Sequence, residues 1–384
     1  MTEVVIAGIG QTPVGEHMDV SLRTLAARAI QSARADAGGL KPQAMYIGNF
    51  LASVLSGQSN LGALFTGNSG LEGIEGVTVE AAGASGAAAF RMAYLAVKSG
   101  FVDTAIVVGA EKCTDVTSED LETAMMQTVE YDYEVSGGLT LTAQAALLTR
   151  RYMHEYDLPA DGLAEFSLLA HANAVNNPNA MYRKAISPAV YQRAGMVSTP
   201  LNLFDVAPYA DGAAAVVLTR SGLLPKGAAQ PAVRVVGSSL VTDSLAVHDR
   251  HNLLAFRAAE LSVERACRQA GILPRDVDFF ELFDAFTIYA LLSLEAAGFA
   301  RHGEGWKLEQ GGKLALDGEL PVSVMGGLKG RGHPVGATGV YQIVEAVQQL
   351  RGQAGENQIP GAKRALVQAL GGAASTAVTH VLSV

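Results

Sequence analysis

Cysteine is nearly absent from this 384-residue chain: Cys113 and Cys267 are the only two. Two thiols cannot build a disulfide framework, nor a zinc site unaided, so both are expected as buried structural thiols and no metal is expected. Basic residues are scarce too. Lys and Arg number 28 against 37 Asp and Glu, a formal net charge of −9. That balance leaves no electrostatic footprint for nucleic acid, and an anionic ligand would need a local basic patch. No apolar run reaches the length of a membrane span. The first residues, Met1 to Gly8, lack the basic stretch and apolar core of a signal peptide, so a cytoplasmic location is the expectation. Charged residues make up only 17% of the chain, hydrophobic ones 49%, and 42 residues are Gly. This is a compact, globular composition with length for two core-forming units.

What is present is alternation. Short apolar runs fit buried strands: Val4 to Ala7, Thr104 to Val108, Ala214 to Leu218, Val233 to Val236 and Ala365 to Gln368. Helical patterns separate them over Leu22 to Ala37, Ala87 to Lys98, Leu254 to Ala270 and Val340 to Leu350. The order predicts an α/β fold with mainly parallel sheets.

The two halves also repeat a pattern. Gly83-Ala84-Ser85-Gly86 opens an Ala-rich helix that leads through Gly100 to the strand at Ala105. Gly336-Ala337-Thr338-Gly339 opens another, leading through Gly352 to the strand at Ala365 and then Gly371-Gly372. Motif, helix and strand together predict a duplication. Residues 1–118 form one half, resumed over 198–224, and 232–384 form the other. Residues 119–197, richer in Met, Tyr, Asn and charge, read as an inserted cap over a site. Pro225 to Pro231 reads as the linker between the halves.

Chemistry concentrates at the two matched helix starts. The run Met325 to Gly336 is dense in glycine, which lets backbone approach a ligand closely. Pro334 holds His333 out of the helical region, where an imidazole can serve as base or hydrogen-bond donor. The other start, Val79 to Ala87, offers the free amides that make an oxyanion or thiolate site. A cysteine there would be nucleophilic. The position holds Gly83.

These motifs resemble the thiolase superfamily, in its lipid-transfer-type (SCP2-like) and archaeal acetyl-CoA acetyltransferase branches. The resemblance spans essentially the whole chain. It is carried by Val79-Glu80-Ala81-Ala82-x-Ala84-Ser85-Gly86, Asp211-Gly212-Ala213-Ala214-Ala215, Glu281 to Thr287, Gly326-Gly327 through Gly339, and Gly371-Gly372. It implies a five-layer αβαβα fold built from two duplicated βαβαβαββ halves. It also implies a homodimer or higher oligomer, and coenzyme A thioesters as substrates rather than a bound cofactor. Members of these branches often pair with a small OB-fold protein bearing a zinc ribbon, so such a partner is expected.

Carried over residue by residue, the resemblance puts the acyl-accepting cysteine at Gly83 and the polar oxyanion-hole residue at Phe283. The histidine is His333, and the oxyanion-hole amide is that of Gly371. The proton-shuttling second cysteine falls on Ala369 or Ala285. A single engineered change would explain Gly83 but not Phe283, Ala285 and Ala369, so divergence is the preferred reading. Glycine cannot form an acyl-thioester, so the covalent route is closed. Three functions follow. The first is a thiolase-type acyltransferase that makes or breaks a C–C bond, in which a cysteine restored at 83 would become acylated. The second is a CoA-thioester retro-aldolase that uses His333 without an acyl-enzyme. The third is a non-catalytic acyl-CoA-binding subunit. Arg183 and Lys184 are the candidates for the CoA phosphates, with Lys329 and Arg331 as deeper alternatives. Tyr289 and Tyr341 read as packing residues. An inward Phe283 would suit a bulky or aromatic acyl chain.

Overall fold

A computed structural model describes residues 2–159, 161–224 and 231–384. The expected linker, apart from Pro231, lies outside them. The strands are β1 (Val4–Gln11), β2 (Ala44–Gly48), β3 (Glu75–Val79), β4 (Thr104–Glu111), a small hairpin of β5 (Met196–Ser198) and β6 (Leu201–Asn202), then β7 (Gly212–Arg220), β8 (Val233–Thr242), β9 (Phe279–Glu281), β10 (Arg364–Gly371) and β11 (Thr376–Ser383).

Apart from the hairpin, these strands align in the order β3-β2-β4-β7-β1-β8-β11-β10-β9. The order reads the same from both ends. β1, β4 and β7 are matched by β8, β10 and β11, with identical directions: β7 runs antiparallel to β4 and β1, and β11 antiparallel to β10 and β8. β2 pairs parallel with β4 as β9 does with β10. The counterpart of β3 is reduced to a single parallel bridge between Phe280 and Val322. The halves join where β1 meets β8, through Val5 with Arg234 and Ile6 with Val233. The duplication is therefore visible in topology. The expectation of mainly parallel sheets is corrected: the sheet is mixed, and antiparallel pairs outnumber parallel ones. The reason lies in β7 and β11, each inserted as a returning strand. Only a short turn links β10 to β11, and a short turn can join only antiparallel neighbours.

Alternation along the buried strands creates the layers. In β4, Ala105 and Val107 pack on one core while Ile106, Val108 and Ala110 pack on another. β7 does the same with Ala214, Val216 and Leu218 against Ala213, Ala215 and Val217. The outer core of the first half is closed by the helix Leu22–Asp36, and that of the second by Arg257–Ala270. Between the two sets of strands lie two central helices, Ser85–Ser99 and Thr338–Leu350, which share the middle core. Helix, sheet, helix pair, sheet, helix is the five-layer arrangement.

The central helices pack closely because glycines face across their starts. A Cβ on Gly86 would sit 2.8 Å from the Gly336 carbonyl oxygen, and one on Gly339 would sit 2.5 Å from the Ala87 nitrogen. The first helix ends at Gly100 in the left-handed region (φ 81°), a conformation glycine adopts without a steric penalty. The helix expected from Leu254 begins only at Arg257, because the Asn252 side chain accepts from the Leu254 amide and holds those residues in a turn. No described helix is long and apolar enough to cross a membrane.

Candidate active site

The two helix starts carry matching backbone strain. Ala82, just before Gly83, has φ 49°, and Val335, just before Gly336, has φ 21°. Positive φ is uncommon without glycine and an outlier for a β-branched residue. Such strain persists only where surroundings over-determine it. At the first turn, the Ser85 hydroxyl donates to the Ala82 carbonyl (2.7 Å) and accepts from the Ala81 amide (2.9 Å). At the second, Gly336 donates its amide to Glu111 Oε2 (3.0 Å). Glu111 also accepts from the Phe50 and Leu51 amides and from Asn49 Nδ2. Burial pushes its carboxyl up to about 7, against the pull of those donors. A carboxylate of one half thus fixes the turn that follows the histidine of the other. Sequence reading did not single out Glu111. Its one signal was an acid ending a strand that is otherwise apolar over Ala105 to Ala110.

His333 is strapped in place by its own backbone. Its amide donates to the Pro208 carbonyl (2.9 Å), and its carbonyl accepts from Ala210 (3.2 Å). The next residue, Asp211, is held by the Cys113, Thr114 and His17 amides, the Thr114 hydroxyl and Lys112, so the strap is rigid. Nδ1 lies 2.8 Å from the Thr338 hydroxyl on the second central helix. Nε2 has no partner among the described residues. Burial, with the nearby Arg331 cation, pushes the ring down to about 3. The imidazole is therefore neutral, and the Thr338 hydroxyl can serve either tautomer.

Phe283 stands between the two helix starts. Its ring meets that of His333 edge-on at 5.3 Å between centroids. A Cβ built on Gly83 would lie 2.8 Å from Phe283 Cζ and 2.7 Å from the Leu370 carbonyl oxygen. Gly83, Phe283, His333, Tyr209, Tyr289 and Gly372 are among the residues that close a cavity of about 20 Å³, room for about one water. The structure thus brings together Gly83, Phe283 and His333. Gly371 lies one residue outside that lining: its neighbours Leu370 and Gly372 face the cavity, and its carbonyl accepts from the Ser375 hydroxyl. Ala285 lines the cavity and Ala369 does not. Tyr341 packs as expected, donating to the Thr12 and Ala213 carbonyls. Tyr289, expected as mere packing, instead lines the cavity, because the helix Thr287–Ala296 starts directly behind Phe283.

A groove of about 780 Å³ adjoins this cavity and shares Val206, Ala207 and Tyr209 with it. Its wall is largely drawn from the region between β4 and β7, including Glu122, His171 and Phe204. Lys184 is exposed on its lining; Arg183 is exposed but not part of that lining. Lys329 reaches the groove from a buried position, where Nζ donates to the Asp284 carbonyl (3.3 Å). Arg331 does not reach it. That side chain is buried 2.6 Å from Glu345 and over the Tyr341 ring. Both cysteines are buried. Cys113 donates its thiol to the Ala210 carbonyl, and burial raises it well above the usual thiol range; Cys267 is raised to about 11. Neither lines the cavity, so among the described residues it has no thiol nucleophile.

Comparison with known proteins adds a consistent picture. The model described as thiolase, N-terminal domain, matches residues 4–201, and the thiolase C-terminal domain-like model matches residues 239–384. An acetyl-CoA acetyltransferase of Methanothermobacter thermautotrophicus is 37% identical over 385 residues, covering 100% of both chains. The benzoylsuccinyl-CoA thiolase subunit BbsB of Thauera aromatica is 33% identical, over 94% of this chain and 90% of its own. Among solved structures, the Ltp2-ChsH2(DUF35) aldolase superposes with a TM-score of 0.84 at 25% identity, over 99% of this chain and 97% of that one.

Proposed function

Because this chain belongs to the thiolase family of acyl-CoA C-acyltransferases, we propose that it acts on acyl-CoA thioesters at the C–C bond β to the thioester, without forming an acyl-enzyme. The observation that carries this reading is the Phe283 ring in the space a nucleophilic side chain at position 83 would need. A retro-aldol cleavage requires no such nucleophile. As the Cα–Cβ bond breaks, the β-hydroxyl passes its proton to solvent water in the groove and the electron pair moves into the thioester as an enolate. Water then returns a proton to Cα, leaving a shortened acyl-CoA and a free carbonyl compound. The neutral His333 ring suits the enolate oxygen, since an imidazole that stays uncharged donates a hydrogen bond without losing its proton. Likeness to a solved aldolase over nearly the whole chain supports the same reading.

The groove suits the pantetheine arm and a bulky acyl group. The small cavity holds only the reacting oxygen, so the remainder of the substrate must lie in the groove. Lys184 at the groove favours the CoA phosphates. An aromatic acyl chain agrees with the similarity to a benzoylsuccinyl-CoA thiolase subunit. A homodimer formed along the exposed edge strand β3 is part of the proposal, since that edge otherwise presents unpaired backbone to solvent. A small second protein is also proposed, on the ground that the similar aldolase pairs Ltp2 with ChsH2(DUF35).

The test is direct. Purified protein is given 3-hydroxyacyl-CoAs with aliphatic and aromatic β-substituents, and both products are measured by mass spectrometry. Cleavage that His333→Ala lowers by about 10²- to 10³-fold supports the reading. Thiolysis of 3-ketoacyl-CoAs, or an acyl adduct in the intact mass, would overturn it. Tight acyl-CoA binding without turnover would favour a non-catalytic subunit.

A further inference from the structure

One polar group at the cavity has no use within the fold. The Tyr289 side chain is fully buried, and its hydroxyl has no hydrogen-bond partner among the described residues. Its ring is clamped edge-on by Phe256 at 5.4 Å and Phe286 at 5.0 Å between centroids. A phenylalanine would pack there equally well and would leave no buried donor unsatisfied. Thr128, also on the cavity, already spends its hydroxyl on the Met125 carbonyl (2.8 Å). Tyr209 is only half-buried and fronts the groove as well. Tyr289 is thus a buried donor left over on the lining of a cavity that His333 also lines.

The vacancy it can fill is evident from Phe283. Where the family resemblance calls for a polar oxyanion-hole residue, this chain has a hydrocarbon ring. We infer that Tyr289 supplies the missing donor, binding the thioester carbonyl oxygen together with His333. The buried Arg250 guanidinium, tied to the Ser244 and Ala373 carbonyls, acts on the phenol electrostatically. Its positive field favours negative charge growing on an oxygen held there. Nothing titrates in this arrangement: the phenol stays protonated because burial raises it. The inference rests on the proposal that an acyl-CoA binds this site, but not on which bond is cleaved.

The experiment therefore reads the carbonyl rather than turnover. Butyryl-CoA carrying carbon-13 at the thioester carbonyl is bound to wild type and to Tyr289→Phe, with affinity measured by calorimetry and the carbonyl stretch by difference infrared spectroscopy. The expected result is a stretch lowered on wild type that returns towards its solution value in Tyr289→Phe, with affinity weakened by up to about tenfold, the scale of one lost hydrogen bond. Exchange of the α-protons in D2O should slow by about 10²-fold, the usual effect of deleting one oxyanion donor. An unchanged stretch and exchange rate in Tyr289→Phe would overturn the inference. If the stretch depends on Tyr289 while no 3-hydroxyacyl-CoA is cleaved, the aldol reading fails and the donor assignment stands. If butyryl-CoA does not bind at all, both fall.

Discussion

The Phe283 ring fills the place of any side chain on Gly83, with Cζ 2.8 Å from a Cβ built there. The two residues are complementary, and replacing either alone leaves a mismatch. A single Gly83→Cys substitution should therefore neither acylate nor fit. Overpacking predicts a loss of about 1–3 kcal/mol, read by thermal unfolding, and no adduct with acetyl-CoA in the intact mass. The simpler expectation, that cysteine at 83 suffices, predicts the adduct from the single variant. Gly83→Cys with Phe283→Ala should stay destabilised, because the same Cβ would also lie 2.7 Å from the Leu370 carbonyl oxygen and the lost ring leaves a cavity. Acylation of the single variant would show that the ring yields.

His333 should stay neutral far below the ordinary histidine range, since burial and Arg331 hold it near 3. Nitrogen-15 spectra, assigned with His333→Ala, should show the neutral ring from pH 8 down to 5. A midpoint near 6.5 would contradict this. The stability sign follows: a depressed histidine pKa means the unfolded chain takes up the proton first. Its contribution is present above about pH 6.5 and declines as pH falls towards 3. His380, also pushed down to about 3, adds in the same direction.

Arg331 sits in the same glycine-rich run as His333 but serves the core. It is paired with Glu345 at 2.6 Å, and both are buried. Removing one partner of such a pair costs about 3–5 kcal/mol. Arg331→Met should lose stability on that scale in denaturant titration, and Arg331→Met with Glu345→Leu should regain most of it. A neutral single variant would mean the pair contributes little.

β3 is the edge strand where a second copy is proposed to pair, and Val77 is 48% exposed on it. A charge on an edge blocks strand pairing. Val77→Lys should shift the mass by light scattering from dimer to monomer, with circular dichroism unchanged. An unaltered oligomer would place the interface elsewhere.

Much of this was legible in the sequence, and the reasons are physical. Strands buried on both faces must be apolar throughout, so Thr104 to Val108 and Ala214 to Leu218 announced themselves. β3 showed only its end, at Val79, because Glu75 and Gly76 on an exposed edge carry no such pattern. β11 mixes Thr and His with its apolar residues, and those polar groups are satisfied only in the fold; His380, for one, reaches Ser238 and the Ala87 carbonyl. His333 and Gly83 were readable because helix starts leave motifs. Glu111 and Tyr289 were not. Their roles depend on which half they meet, and only folding supplies that.

The contorted residues at Ala82 and Val335 have one more consequence. Each conformation costs about 1–3 kcal/mol, and one of them is held by a carboxylate from the opposite half. Neither half is a spare part. Cut at the linker and expressed alone, the second half would have no Glu111 for its Gly336 amide, and that turn would unwind to an ordinary loop, taking the presentation of His333 with it.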